Sequence, residues 1–139
     1  MKLGIMQPYF LPYIGYWQLL NAVDKYVIYD DVNFINRGWI NRNRILQNGV
    51  PAFINVPMLG ASQTKKINEI TVSQDFRVRK KVLKTVEQNY CKAPQFKTVF
   101  PLLVSVFNCE EPNLAKFLAY SIRKICDYLE IKTELLMSS

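Results

Sequence analysis

The first thirty residues run from one short apolar segment through an amphipathic stretch to a second apolar segment, and no other part of the chain restricts the fold so sharply. Leu3-Gly4-Ile5-Met6-Gln7 is closed by Pro8, while Lys25-Tyr26-Val27-Ile28-Tyr29-Asp30 is β-branched and aromatic, so both read as buried strands. Between them, Ile14, Trp17, Leu20 and Val23 recur at steps of three from Tyr13 to Val23, the stripe that a helix lays on a sheet. Strand, helix, strand over this length is a βαβ unit, whose crossover joins parallel strands. The expected fold class is therefore α/β, Rossmann-like, with three layers around a mainly parallel sheet.

The remainder fits one α/β domain over residues 1–139. Asn48-Gly49 is the dipeptide favoured in two-residue hairpin turns, and it predicts pairing of Arg42 to Leu46 with Pro51 to Val56. Pro57 to Lys66 reads as a loop, a candidate lid, before a short strand from Ile70 to Val72. Val78, Val82, Val86 and Tyr90 then mark a helix that stops before Pro94. A second helical piece near Gln95 to Val106 is expected to break at Pro101. A third runs from Asn113, a plausible cap, to about Leu129, with Leu114, Phe117, Leu118, Ile122 and Ile125 on one face. Lys132 to Met137 reads as a last strand, and an ending at Ser138-Ser139 with no closing helix is what a truncated version of a longer fold would show.

Composition excludes much chemistry. The chain has no histidine, and its three cysteines, Cys91, Cys109 and Cys126, lack metal-ligand spacing, so no zinc site and no Ser-His or Cys-His pair is available. No metal site and no certain cofactor is expected, with Mg²⁺ the one ion to consider. Free thiols, the absence of an export signal and the lack of a long apolar run point to a cytoplasmic protein that does not insert in membranes. A net charge of +7 favours an anionic partner. No nucleic-acid motif accompanies the charge, so a small anionic metabolite is expected. Arg77, Arg79, Lys80, Lys81 and Lys84 read as the solvated face of a helix.

Three segments are candidates for function. Gln7, Pro8, Tyr9, Tyr13, Gly15 and Tyr16 belong to a strand-to-helix turn, where α/β folds bind ligands against free helix amides, and Gly15 offers bare backbone. Asp30-Asp31 stand at a strand end, where paired acids hold Mg²⁺ or a hydroxyl, or else serve as turn and salt-bridge residues. Trp39, Asn41, Arg42, Asn43 and Arg44 form a ribbon rich in donors around one indole. If it is extended, Arg42 and Arg44 share a face about 7 Å apart, a spacing suited to two phosphoryl groups or to pairing with Asp30 and Asp31. The whole reading requires the three segments to border a single cleft.

The turn carries a distant resemblance to nucleotidyltransferases with the motif HIGH at their first helix, since Tyr13-Ile14-Gly15-Tyr16 stands where His-Ile-Gly-His would. That resemblance implies a HUP-like version of the fold. Met6-Gln7-Pro8-Tyr9-Phe10 with Pro12 to Tyr16, then Tyr29-Asp30-Asp31-Val32, then Gly38 to Ile45, in that order, resemble the WbqC-like family of bacterial proteins. The resemblance implies a role in surface-polysaccharide (O-antigen) synthesis, and a chain that is the N-terminal part of a longer protein. The expected function is a transferase-type enzyme acting on a nucleotide-activated sugar or a similar anionic metabolite. Asp30, Asp31, Tyr13 and Tyr16 would be its catalytic groups, and Gln7, Pro8, Tyr9, Gly15, Trp39, Asn41, Arg42, Asn43 and Arg44 its ligand-binding ones. The alternative is a non-catalytic binding or assembly module of a polysaccharide-synthesis complex.

Overall fold

The computed structural model describes residues 1–139. Strands β1 (Leu3–Met6), β2 (Lys25–Ile28) and β7 (Glu134–Met137) form a parallel sheet in the order β1-β2-β7, with Met6, Ile28 and Met137 in register at its C-terminal edge. Helix α1 (Ile14–Ala22) connects β1 to β2, and α4 (Leu114–Tyr128) precedes β7. Tyr16 and Leu20 of α1 and Ala119, Ile122 and Cys126 of α4 pack together with Tyr26 and Ile28, which point to one face of β2. Both helices therefore cover the same face. The expected α/β class and βαβ unit are present, but the layers there are two, sheet and helices.

Helix α1 also buries a different stripe from the expected one. Ile14 is largely exposed, while Tyr16 and Leu20 are buried. Steps of three fall short of the 3.6-residue turn, so Ile14 and Val23 point to opposite sides of the helix, and a step of four selects the packed face.

The hairpin β3 (Arg42–Gln47) and β4 (Val50–Asn55) turns at Asn48-Gly49, both with positive φ, as two-residue hairpin turns require. Pro57 to Lys66 is not an open loop. It contains β5 (Met58–Leu59), paired antiparallel with β6 (Thr71–Val72), and Phe34 donates to the Lys65 carbonyl at 2.8 Å, so the segment is tied down where a lid was expected. A 3-10 turn, Ile67–Glu69, leads into β6. Helices α2 (Phe76–Tyr90) and α3 (Phe96–Phe107) then pack beside the hairpin, and Asn113 caps α4 by accepting from the Lys116 amide. Pro101 does not break α3. Lys97, whose carbonyl loses its amide partner, and Pro101 are both exposed, while Val106 and Phe107 anchor the helix in the larger core.

That core gathers Phe10, Phe34, Ile40, Ile54, Val72, Phe107 and Phe117 around one cation. Arg79, expected on a solvated face, is 2% exposed. It lies seven residues before Val86 on the buried side of α2 and donates to the carbonyls of Ser73 (2.9 Å), Phe107 (3.1 Å) and Cys109 (2.6 Å). Its guanidinium lies 4.2 Å from the Phe76 ring centroid, and burial pulls its pKa below that of an ordinary arginine. No carboxylate pairs with it; backbone oxygens at the end of α3 and before α2 supply the compensation.

Two outcomes follow from this packing. Arg79→Met removes three charge-assisted bonds and leaves their carbonyls unpaired, so urea unfolding should show a loss of about 2–4 kcal/mol, against less than about 0.5 kcal/mol for Arg77→Met on the exposed side. Burial pushes the Cys126 thiol up to about 11, with Asp127 adding to the effect. In the folded protein its thiolate is disfavoured until pH nears 11, above the ordinary value near 9, so a thiol reagent at pH 8 should label exposed Cys91 at once and Cys126 only in denaturant.

Candidate functional site

The turn after β1 is built by what it buries. Phe10 is wholly buried in the larger core, edge-on to Phe107, and its amide donates to the Trp39 carbonyl at 3.1 Å. Leu11 follows with φ of 46°, a left-handed conformation that costs a side-chain-bearing residue roughly 1–2 kcal/mol. Asn43 holds it there, its amide nitrogen donating to the carbonyls of Phe10 (3.2 Å) and Leu11 (2.6 Å). Beyond Pro12, whose carbonyl accepts from Trp17, α1 begins at Ile14. Buried Tyr16 donates its hydroxyl to the Gln7 carbonyl at 2.9 Å. Burial raises the Tyr16 pKa steeply, aided by neighbouring Tyr26, so this phenol stays protonated and fixed between helix and strand end.

This turn and the ribbon meet. Met6, Tyr9, Tyr13, Trp39, Asn43 and Arg44 line a hollow of about 430 Å³ beside the C-terminal end of β1. Arg44 lies outward on β3 with its guanidinium 5.4 Å from the Trp39 ring centroid, and it pairs with no carboxylate. Exposed Tyr13 covers the backbone of Gly15, where an added β-carbon would run into its ring. The bare backbone expected at Gly15 is thus taken up by the protein's own tyrosine. Tyr9 stands 5.6 Å from Tyr16, ring to ring, and partial burial raises its pKa, with Tyr13 adding to it.

Arg42 is not part of this hollow. Its guanidinium donates to the carbonyls of Gly38 and Arg37 and lies 4.3 Å from the Phe53 ring centroid. Asn41 contributes its carbonyl to the Val56 amide at 2.7 Å. Pro8 is buried.

The twin acids take part in a different network. Asp30, 2% exposed, accepts from the Ser139 amide (3.0 Å) on Oδ1 and from the Ser139 hydroxyl (2.7 Å) on Oδ2. The Ser138 hydroxyl lies 3.0 Å from Asp30 Oδ1 and 2.5 Å from Asp31 Oδ1, and having one proton it donates to one of them at a time. The Asp30 amide in turn donates to that hydroxyl at 3.1 Å. Neither acid pairs with an arginine. Asp30 and Ser139 border a second, larger hollow of about 860 Å³, with Asn68, Glu111, Lys116 and Arg123 around it. The single cleft required by the sequence reading is therefore two hollows on one sheet edge. One lies at the end of β1, with the turn and the ribbon; the other lies at the ends of β2 and β7, with Asp30.

Sequence reasoning missed Ser138, Ser139, Lys116 and Arg123. The serines follow a strand end just as Asp30-Asp31 do, which was a usable signal. Lys116, Tyr120 and Arg123 recur at helical spacing on α4, but that pattern alone looks like any polar helix face. No group of three or more His, Cys, Asp or Glu side chains gathers to hold a metal ion. Two carboxylates and two hydroxyls could hold Mg²⁺ only together with substrate oxygens. Because Asp30 alone receives both Ser139 bonds, Asp30→Ala should cost about 2–3 kcal/mol in urea unfolding and Asp31→Ala less than half of that; equal losses would contradict the geometry.

A protein-family model described as the WbqC-like protein family matches residues 7–139. The uncharacterized protein Rv1507c of Mycobacterium tuberculosis is 32% identical over 136 residues, which is 96% of this chain and 58% of that relative. The chain thus spans a little over half the length of the curated relative it matches. No solved structure matches. No helix is long and apolar enough to cross a membrane. With the family match reaching from the strand-to-helix turn to the terminal serines, the chain belongs to the WbqC-like protein family.

Proposed function

We propose that the hollow at the end of β1 binds an anionic, phosphorylated metabolite of the nucleotide-sugar class, and that the protein acts as a transferase-type enzyme in surface-polysaccharide (O-antigen) synthesis. The observation that carries this reading is Arg44. Its guanidinium has no carboxylate partner and stacks at the Trp39 ring on the rim of a hollow walled by tyrosines. A guanidinium in that state offers a fork of donors to phosphoryl oxygens, and the aromatic walls offer faces to a base or a sugar. The hollow lies beyond the carboxyl end of a parallel strand, where α/β sheets take ligands.

Tyr9 and Tyr13 are the hydroxyl donors within reach of a ligand there, and in a transfer reaction they would stabilise charge developing on it. Asp30, on the neighbouring hollow, with Asp31 linked to it through the Ser138 hydroxyl, would orient an acceptor hydroxyl or, with substrate phosphates, Mg²⁺. A second reading has its own observation. No carboxylate lines the Arg44 hollow, which suits a non-catalytic module that holds its ligand for a partner enzyme.

A thermal-shift series with nucleoside diphosphate sugars, free nucleotides and inorganic phosphate tests the binding. The parent should be stabilised by about 2.7 kcal/mol at a hundredfold excess of ligand over its Kd. Arg44→Ala and Trp39→Ala should each weaken binding roughly tenfold or more, whereas Arg42→Ala, already engaged with backbone carbonyls, should change it less. Arg44→Ala binding as well as the parent would refute the reading. Binding without turnover of any nucleotide-sugar would favour the module.

A further inference from the structure

The parallel sheet is covered on one face only. Leu3 and Ile5 of β1 are 52% and 55% exposed and Leu136 of β7 is 38% exposed, all on the side away from α1 and α4. Strand register lines up Ile5, Val27 and Leu136 as an apolar row across all three strands, bounded on one side by the Lys25–Glu134 ion pair. Parallel sheets are found with helices on both faces, because crossover connections put them there. An apolar row open to water on such a sheet is a surface that lacks its cover.

Topology says which kind of cover fits. The sheet is laid down in one direction, β1 to β2 to β7, and crossovers of one hand made in one direction leave their helices on one face, as α1 and α4 are. A further strand beyond β7 would send its helix to that same face. Only a strand that follows β7 in the chain and is laid outside β1 reverses the direction and carries its right-handed crossover over Leu3, Ile5, Val27 and Leu136. The outer edge of β1 is free to receive one, since β1 pairs with β2 alone.

We infer that the outer edge of β1 and the bare sheet face are the seat of a strand–helix segment, supplied by the portion of a WbqC-like chain outside the stretch matched here. About two-fifths of the mycobacterial relative lies outside that stretch, ample for a unit of about thirty residues. The segment's strand runs parallel to β1 and its helix lays an apolar face on the Ile5–Val27–Leu136 row. The inference rests on strand order and exposure and is independent of what the Arg44 hollow binds.

Hydrogen–deuterium exchange on this chain and on intact Rv1507c, with sedimentation equilibrium of this chain, tests it. This chain should sediment as a monomer whose outward β1 amides exchange at least about tenfold faster than those of β2. In the intact relative the matching strand should exchange about as slowly as its β2 counterpart. Ile5→Lys in this chain should leave the urea midpoint unchanged, because the side chain already faces water. Fast exchange of the matching strand in the relative would overturn the inference. So would a dimer of this chain with protected β1 amides that Ile5→Lys dissociates, since a second copy would then be the cover.

Discussion

Asp30 joins the first strand–helix–strand unit to the last two residues, and the candidate sites depend on that closure. The bonds from Ser138 and Ser139 to its carboxylate bridge more than a hundred residues of sequence, and they fix β7 beside β2 with its C-terminal end level with those of β1 and β2. The Ser138 amide extends the ladder by donating to the Ile28 carbonyl at 3.0 Å. A buried carboxylate needs compensation, and here neutral hydroxyl and amide donors provide it in place of an arginine. The arginines of the ribbon are thereby left without an acidic partner.

The same principle operates in the larger core. Arg79 is the cationic counterpart of Asp30: a buried charge whose two terminal nitrogens donate to backbone oxygens while its Nε has no partner. It binds carbonyls before α2 and after α3, so it sets how these helices meet and how they support the β3–β4 hairpin. The hairpin in turn holds the turn after β1 through Asn43, which keeps Leu11 in its left-handed conformation. A path of ordinary packing thus runs from a charge deep in the molecule to the wall of the Arg44 hollow.

What the sequence made legible was local. Two short apolar runs around an amphipathic stretch, and Asn48-Gly49, were enough for the βαβ unit and the hairpin, because these patterns act over a few residues. The Pro-Tyr turn and the Trp-Arg ribbon were recognisable as neighbours of a hollow from their donor and aromatic density. Arg79 was not legible, since a cation in a basic run looks solvated unless the carbonyls that will meet it are known, and two of the three lie about thirty residues away. Nor was the pairing of the acids with the serines, for which sequence offered no cue beyond two strand ends. The missing third layer follows from strand order, which periodicity does not encode.

Hydrogen-bonding capacity left over after folding separates the residues singled out by type. Asn43 holds carbonyls of the turn, Tyr16 holds the Gln7 carbonyl, Arg42 holds the Gly38 carbonyl and Asp30 holds both serines. Each has the chemistry of a ligand contact, and each is committed to shaping the protein. Arg44, Trp39, Tyr9 and Tyr13 remain with free polar or aromatic groups facing one hollow. The committed set holds the free set in place, and such preorganisation is the condition under which a few donors can give tight and selective recognition. Donor density in the ribbon is therefore two things in one stretch of chain: a scaffold made from Arg42 and Asn43, and an uncommitted remainder in Trp39 and Arg44 that lines the hollow.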